Sequence, residues 1–352
     1  MSEELKITIA GREIGPSHPP YVIAEMSGNH NGEIERAFAI MQAAKEAGAD
    51  ALKMQTYTAD TITIDHDGPG FTIKGTAWEG RTLHDLYKEA HTPWDWHKPI
   101  FERARELGIP VFSSPFDPTA VDLLESLGAP AYKIASFEAI DIPLIEKAAA
   151  TGKPLIISTG LATREEVAEA VAAARKAGKQ SPAILHCIST YPTKYEDCNL
   201  RVLPVMAETF GTVVGFSDHT NGTAAAVAAV ALGASIIEKH LTLSRADGGP
   251  DAAFSLEPAE FKAMVADCRL AYAARGSGRM ERPPAEEGLM VFRRSLYVVE
   301  DIAAGEKFTE RNVRSIRPSY GLPPKFLPEV LGRAAPRALK RGTPLSWDAV
   351  KG

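Results

Sequence analysis

Two lysines and two histidines in this sequence stand where apolar runs would not ordinarily tolerate them. Lys53 and Lys133 interrupt ALKMQ and AYKIA, and an unpaired ammonium in such a run carries a large desolvation cost. Each therefore needs an anion. Two lysines converging with hydroxyls and backbone N–H groups make a receptor for phosphate and carboxylate; a structural lysine–acid ion pair is the alternative. His219 in GFSDHT and His240 in EKHLT end two successive runs, so both imidazoles can face one mouth. Near acidic groups, such a pair reads as a divalent-metal site with positions open to water or a substrate oxygen. Imidazole, carboxylate and water ligands suit manganese or magnesium as well as zinc.

Other polar residues close the same kind of run: Glu25 with Asn29, Gln55, Ser114, Ser136 with Glu138, Ser158, Ser189, Ser217, and Glu238. Taken singly, each serine reads as a helix cap or a satisfied buried group. His30 and His186 have weaker claims, and His186, inside a run, reads as packed in a wall.

The runs themselves predict the scaffold. YVIAEM, DALKMQ, IPVFSS, AYKIAS, PLIISTG, PAILHC, VVGFSD and ASIIEKH are eight. Between them lie segments such as IERAFAIMQAAKEAGA and REEVAEAVAAARKAG, with apolar residues at three- and four-residue intervals and often a terminal Gly. Continuous apolar strands alternating with helices imply a parallel sheet covered by helices, and eight units suggest closure into an α/β fold of the (β/α)8 TIM-barrel type. A doubly wound open sheet is the structural alternative. Chemistry in a barrel sits at the C-terminal ends of the strands, where these polar residues fall. A hairpin, KITIAGREIG, precedes the first unit. The second connection, residues 56–94, is long enough to expect a role in covering the substrate.

At 352 residues the chain suggests one large domain and a small one. Residues 1–278 read as the barrel, 279–290 as a Gly-, Pro- and charge-rich linker, and 291–352 as the small domain. Within the latter, DIAAGEKFTERNV and ALKRGTPLSWDAV align without gaps, matching Gly305 to Gly342, Phe308 to Leu345 and Val313 to Val350. This predicts an internally duplicated, strand-rich unit. A net charge of -6 with mixed signs gives no footprint for nucleic acid or an anionic membrane. MSEELKIT lacks the start of a secretory signal, and the apolar residues 223–237 are too short to span a bilayer. Three irregularly spaced cysteines, Cys187, Cys198 and Cys268, fit a reducing compartment, so a cytoplasmic protein is expected.

IAEMSGNHNG at Ile23, LKMQTY at Leu52, FSSPFD at Phe112, AYKIASFE at Ala131, STG at Ser158, CISTYPT at Cys187, GFSDHT at Gly215, EKH at Glu238 and GPD at Gly249 together resemble the sialic acid synthase family over nearly the whole chain. RSLYVVEDIAAGE and RSIRPSYGL look like that family's antifreeze-like (SAF) domain. Within the family, SGNHN, QTYTADTIT, EGRTLHDLYKEAHTPW, KIASFE and FRRSLYVVEDI are most similar to pseudaminic acid synthases. Ser189 and Ser114 depart from the neuraminate enzymes, which carry Asn and Thr there, and both keep a hydrogen-bonding side chain.

The resemblance implies a transferase that condenses phosphoenolpyruvate with the open-chain aldehyde of 2,4-diacetamido-2,4,6-trideoxy-altrose, giving a nonulosonic acid and phosphate by C–O cleavage. Legionaminate and N-acetylneuraminate synthases are the alternatives in sugar. It implies that Lys53, Ser114, Lys133, Ser136, Ser158, Ser189 and Ser217 hold phosphoenolpyruvate. His219 and His240 would bind a divalent metal, Mn2+ first, with Mg2+ or Co2+ as alternatives, and Glu25 would be the acid/base group. Gln55, Glu138, Tyr191, Asp251 and Phe292 would line the sugar pocket. Arg317 would reach the sugar of the partner's barrel in a domain-swapped homodimer. An aldolase that does not use phosphoenolpyruvate is the rival enzyme; a carbohydrate- or ice-binding tail on an inert barrel is the rival without catalysis.

Overall fold

The computed structural model describes residues 5–75 and 78–351, leaving residues 76–77 of the long second connection outside them. The chain divides into two compact units, Met1–Gly276 and Ser277–Gly352.

The first unit begins with an antiparallel hairpin, β1 (Ile7–Ile9) and β2 (Arg12–Ile14). Eight strands follow: β3 (Tyr21–Glu25), β4 (Ala51–Thr56), β5 (Val111–Pro115), β6 (Tyr132–Ile134), β7 (Leu155–Ser158), β8 (Ala183–Cys187), β9 (Val214–Asp218) and β10 (Ile236–His240). All pair in parallel, in chain order, and β10 returns to β3 to close the barrel. These are the eight apolar runs read from the sequence. The helices between them are α1 (Ile34–Glu46), α2 (Ala59–Ile62), α3 (Leu83–Ala90), α4 (Trp94–Leu107), α5 (Pro118–Leu127), α6 (Ile142–Ala150), α7 (Arg164–Ala177), α8 (Val202–Phe210) and α9 (Ala224–Ala231), and α10 (Pro258–Ala274) follows β10. Their starts are written locally. The Asp117 carboxylate accepts from the N–H groups of Thr119 and Ala120 at 2.7 and 3.1 Å, and Thr163 with Glu166 forms a reciprocal capping box at α7.

Residues alternate in direction along each strand, and the two faces have different work. Val22, Ala24, Leu52, Met54, Tyr132, Ile134 and Ile157 face the helices and pack with Ile40, Ile100, Leu124, Ile145 and Phe261 in one continuous apolar layer. The opposite set, Tyr21, Ile23, Ala51, Phe112, Ala131, Ile156, Ala183, Leu185 and Ile236, clusters inside the barrel with Ile7, Ile9 and Ile14 of the hairpin. The hairpin thus closes the N-terminal end with apolar side chains. Two residues further along the same inward rows the character changes, to Glu25, Lys53, Ser114, Lys133, Ser158, Cys187, Ser217 and Glu238. Register keeps these in one layer: Glu25 is beside Lys53, Cys187 beside Ser217, and Ser217 beside Glu238.

The second connection is not a plain loop. It carries α2 and α3, with a bridge between Thr72 and Thr82. Among the described residues, no helix is long and apolar enough to cross a membrane.

The second unit has its own core, including Leu296, Val298, Ile302, Phe308, Val313, Leu339 and Leu345. It contains one two-stranded sheet, β11 (Ser295–Val298) with β12 (Val313–Ile316), and two short helices, α11 (Leu327–Val330) and α12 (Trp347–Lys351). The duplicated segments are visible in it: Ile302 bridges its counterpart Leu339, and Gly305 and Gly342 both hold positive φ. The expectation of a strand-rich unit is corrected, because the copies meet through single-residue bridges between turns rather than long ladders.

Gly215 marks where the barrel is tightest. A Cβ there would lie 2.5 Å from the Ile236 carbonyl oxygen and 2.6 Å from Leu185 Cδ2. Gly215→Ala is therefore expected to destabilise the first unit by about 1–3 kcal/mol through overpacking, read as a lowered thermal midpoint by circular dichroism. An unchanged midpoint would show that β9 and β10 can separate freely.

Candidate active site

The polar ends of the inward rows line a cavity of about 490 Å3 that includes Lys53, Gln55, Lys133, Ser136, Glu138, Ser158, Tyr191, Ser217, His219, His240 and Asp251. Both lysines and both histidines named from the sequence thus meet in one chamber. Glu25 adjoins it, because its carboxylate contacts Lys53 at 2.6 Å and accepts from Gln55 Nε2 at 3.4 Å.

The lysines are not bare. Lys53 Nζ also lies 3.5 Å from Glu238 Oε1 and donates to Ser114 Oγ at 3.3 Å. Lys133 Nζ lies 3.6 Å from the same Glu238 oxygen, which accepts from Ser217 Oγ at 3.1 Å. The lysine–acid pairing weighed as an alternative is therefore present alongside the cavity-lining position. Glu238 is its hub, a role that its place at a run's polar end did not foretell.

Burial and these contacts set the protonation of the group. Burial pushes Glu25 up to about 7, against the pull of Lys53. Burial acts against the Lys53 ammonium, but Glu238 and Glu25 outweigh it and hold it above the ordinary lysine value. Lys133 is left below its ordinary value, since burial exceeds the compensation from Glu238. Glu238 itself is held low, because Lys133 and Lys53 outweigh its burial.

Around Gly160 three serines converge. The Gly160 N–H donates to Ser136 Oγ at 3.2 Å, and a Cβ on Gly160 would fall 2.3 Å from Ser189 Oγ and 2.8 Å from Ser136 Oγ. Only glycine leaves room for both hydroxyls. Ser158 Oγ is buried with no hydrogen-bond partner, a donor and acceptor held in readiness beside them.

The histidines sit on the other flank with ring centroids 5.3 Å apart. His219 Nδ1 is 3.1 Å from the Ile188 carbonyl oxygen, and His240 Nδ1 is 3.1 Å from Ser27 Oγ. Engaging Nδ1 leaves Nε2 of each ring to offer a lone pair, the usual condition for a metal-ligating imidazole. Burial holds His240 well below the ordinary histidine value, hence neutral. The donor chemistry fits a divalent cation with two protein ligands and open positions, and among the described residues no third His, Cys, Asp or Glu completes a larger group. Phe254 packs against both rings at 4.9 and 6.1 Å.

Ser114 and Ser189 touch this network without lining the cavity. Phe292 and Arg317 belong to the second unit, where both are exposed, and neither is among the cavity-lining residues. Asn29 is structural, donating to the Leu241 carbonyl and Ser255 Oγ at 3.0 and 2.9 Å. His186 stays in the wall, 2.7 Å from the Cys198 carbonyl oxygen.

Several lining residues escaped the sequence reading. Cys187 faces inward beside His219, with Sγ 3.8 Å from Nδ1. Its parity with Leu185 and Ala183 on β8 was the available signal. Ile62, Trp78, Leu86, Tyr87 and Phe116 roof the chamber. Ile62 lies on α2 and Leu86 and Tyr87 on α3, but nothing in the sequence says that these short helices look into the barrel.

This is the architecture of a barrel enzyme with a mixed cationic and imidazole mouth, joined to a small second unit. A family model described as the NeuB family matches residues 40–280, and one described as the SAF domain matches residues 293–351. A pseudaminic acid synthase of Helicobacter pylori is 44% identical over 95% of this chain and 98% of its own. An N,N'-diacetyllegionaminic acid synthase of Legionella pneumophila is 35% identical over 96% of each. The crystal structure of an N-acetylneuraminic acid synthetase from Leptospira borgpetersenii in complex with citrate superposes with a TM-score of 0.74 at 30% identity, covering 82% of this chain and 96% of that one. The chain belongs to the NeuB family.

Glu138 lines the same cavity, and burial pushes its carboxyl up to about 7 from the ordinary 4.5. A folded-state value above the unfolded one adds stability at low pH that is lost as pH rises through the folded value. The unfolding free energy therefore falls between pH 4.5 and about 7 on account of this group. Glu138→Gln is expected to flatten that part of the profile, measured by urea unfolding at several pH values. A variant whose profile parallels the wild type would remove Glu138 as the cause.

Proposed function

We propose that the protein is a pseudaminic acid synthase, condensing phosphoenolpyruvate with the open-chain aldehyde of 2,4-diacetamido-2,4,6-trideoxy-altrose to give the nonulosonic acid and inorganic phosphate. The observation that carries this reading is the convergence of Lys53, Lys133, Glu25, Glu238, His219 and His240 on one chamber at the barrel's C-terminal mouth. The similarity to the H. pylori enzyme along almost the full length of both chains supports the choice of sugar. The roof suits a deoxy, diacetamido sugar of either stereochemistry, since Ile62, Leu86 and Phe116 offer apolar contact to its methyl groups.

In this reading Lys53 and Lys133, with Ser136, Ser158, Ser189 and Ser217, hold the phosphate and carboxylate of phosphoenolpyruvate, with Ser114 steadying Lys53. Its C3 attacks the aldehyde carbon, whose oxygen becomes an alkoxide and receives the proton that Glu25 removes from water, and positive character is left at C2. Glu25, buried and titrating near neutrality, takes a proton from the water that adds at C2, and the resulting tetrahedral centre expels phosphate by C–O cleavage. The lysines are fixed in place before charge develops, so they stabilise it without reorganising. Bound by His219 and His240, a divalent cation, manganese by preference, would supply Lewis-acid polarisation of the aldehyde carbonyl. Gln55, Glu138, Tyr191 and Asp251 bind the sugar. The active form is a cytoplasmic homodimer in which Arg317 of the partner subunit reaches that sugar, and Phe292 belongs to the same assembly. Three buried, unpaired cysteines accord with a reducing compartment.

The test is incubation of the purified protein with manganese, phosphoenolpyruvate and a panel of acetamido sugars, with released phosphate and product mass measured together. A nonulosonate from the altro sugar is expected. Turnover of the legionaminate or neuraminate precursor alone would reassign the sugar, and carbon–carbon bond formation without phosphoenolpyruvate would make the protein an aldolase. Lys133→Met should keep the wild-type circular dichroism spectrum and lose at least about 100-fold in kcat/KM, as when one preorganised charge is removed; near-normal turnover would exclude Lys133 from the anion site.

A further inference from the structure

Behind the cavity, on the helix-facing side of the same two strands, lies a second pair of charges. Asp218 on β9 and Lys239 on β10 are register neighbours, their side chains 0% exposed, with Nζ 2.9 Å from Oδ2. Neither lines the cavity, whereas their chain neighbours Ser217, His219, Glu238 and His240 all do. The pair also grips the turn beyond β9 from both ends of one residue. Asp218 Oδ1 accepts from the Thr220 N–H at 2.8 Å, and Lys239 Nζ donates to the Thr220 carbonyl oxygen. His219 lies between the clamped positions, and His240 directly follows Lys239.

A wholly buried ion pair is a poor device for stability. Desolvation costs several kcal/mol per ion, and apolar side chains of similar volume often do as well or better. What a charge pair adds is direction, because each of its hydrogen bonds is satisfied in one geometry only. Here that geometry ties the residue after His219 to the residue before His240.

We propose that Asp218 and Lys239 are positioning residues that set the spacing and direction of His219 and His240 by fixing the peptide groups around them; this rests on reading the two histidines as ligands of a divalent cation. Groups hydrogen-bonded to a metal's ligands commonly change its affinity by about 10–100-fold, and Asp218 and Lys239 act one step further out, through the main chain.

The experiment titrates Mn2+ alone into the full-length protein, following free Mn2+ by electron paramagnetic resonance, with the thermal midpoint recorded in parallel. The double variant Asp218→Asn/Lys239→Met, which removes both charges together, is expected to stay folded and bind Mn2+ more weakly by up to about 10-fold, the lower end of the effect seen for groups bonded to the ligands themselves. Should it fail to fold, Lys239→Arg keeps the charge balance while changing the donor geometry at Thr220, and a weakened affinity is again expected. His219→Ala is the control. If that variant loses Mn2+ binding while the folded pair variant binds like wild type, the positioning role is overturned and the ligand reading stands. If wild type does not bind Mn2+, or His219→Ala binds it unchanged, the ligand reading fails and takes the inference with it.

Discussion

Two ammonium groups and two carboxylates, all almost wholly buried, have to neutralise one another at the mouth of a closed barrel. Lys53 touches both Glu25 and Glu238, while Lys133 reaches Glu238. Remove any one and a buried charge is left without compensation, which costs far more than the pair contributes. The balance is also what makes the site responsive. Glu25, pushed up to about 7 by burial, is the member that can change its charge near neutral pH. When it takes a proton, Lys53 gains capacity for another anion. Under the proposed reaction, the arriving carboxylate and phosphate would take over the role that the glutamates fill in their absence.

Such an arrangement requires a wall whose two faces obey different rules. Strand alternation supplies it, because neighbouring residues of β9 and β10 face opposite media. Towards the helices the wall is mostly apolar, with the Asp218–Lys239 pair, the hydrogen-bonded Thr56, Ser113 and His97, and His186 as its polar departures. Towards the axis it is layered, apolar where the hairpin closes the N-terminal end and polar only in the last turn of each row. A single scaffold thereby holds an oily plug and a charged floor two residues apart.

The parts of this design that repeat were legible in the sequence. Eight short apolar runs separated by helical periodicity predicted the closed barrel, and Lys53 and Lys133 stood out because an ammonium is costly inside such a run. The duplicated Gly305 and Gly342 segments could be aligned by eye, and their bridge at Ile302 and Leu339 follows. What was not legible depends on distances across the barrel. Glu238 was noted only as a neighbour of His240, since nothing in EKH says that its carboxylate stands between two lysines from β4 and β6. Cys187 was read as a mark of redox environment rather than as a wall of the chamber. Trp78 and Phe116 come from turns and Tyr87 from the short helix α3, where packing alone decides which side chains look into the barrel.

That roof is what gives the floor its character. Tyr57 packs edge-on to both Tyr87 and Phe116, at centroid distances of 5.8 and 5.1 Å, and Trp78 lies against Tyr191 at 5.6 Å. These rings displace water from the space above the lysines. Electrostatic attraction strengthens as the local dielectric falls, and so does the penalty on any unmatched charge. Glu25 and Glu138 are both raised, and burial is the largest influence on each. The long connection between β4 and α4 is therefore as much a part of the site's electrostatics as the charged groups beneath it.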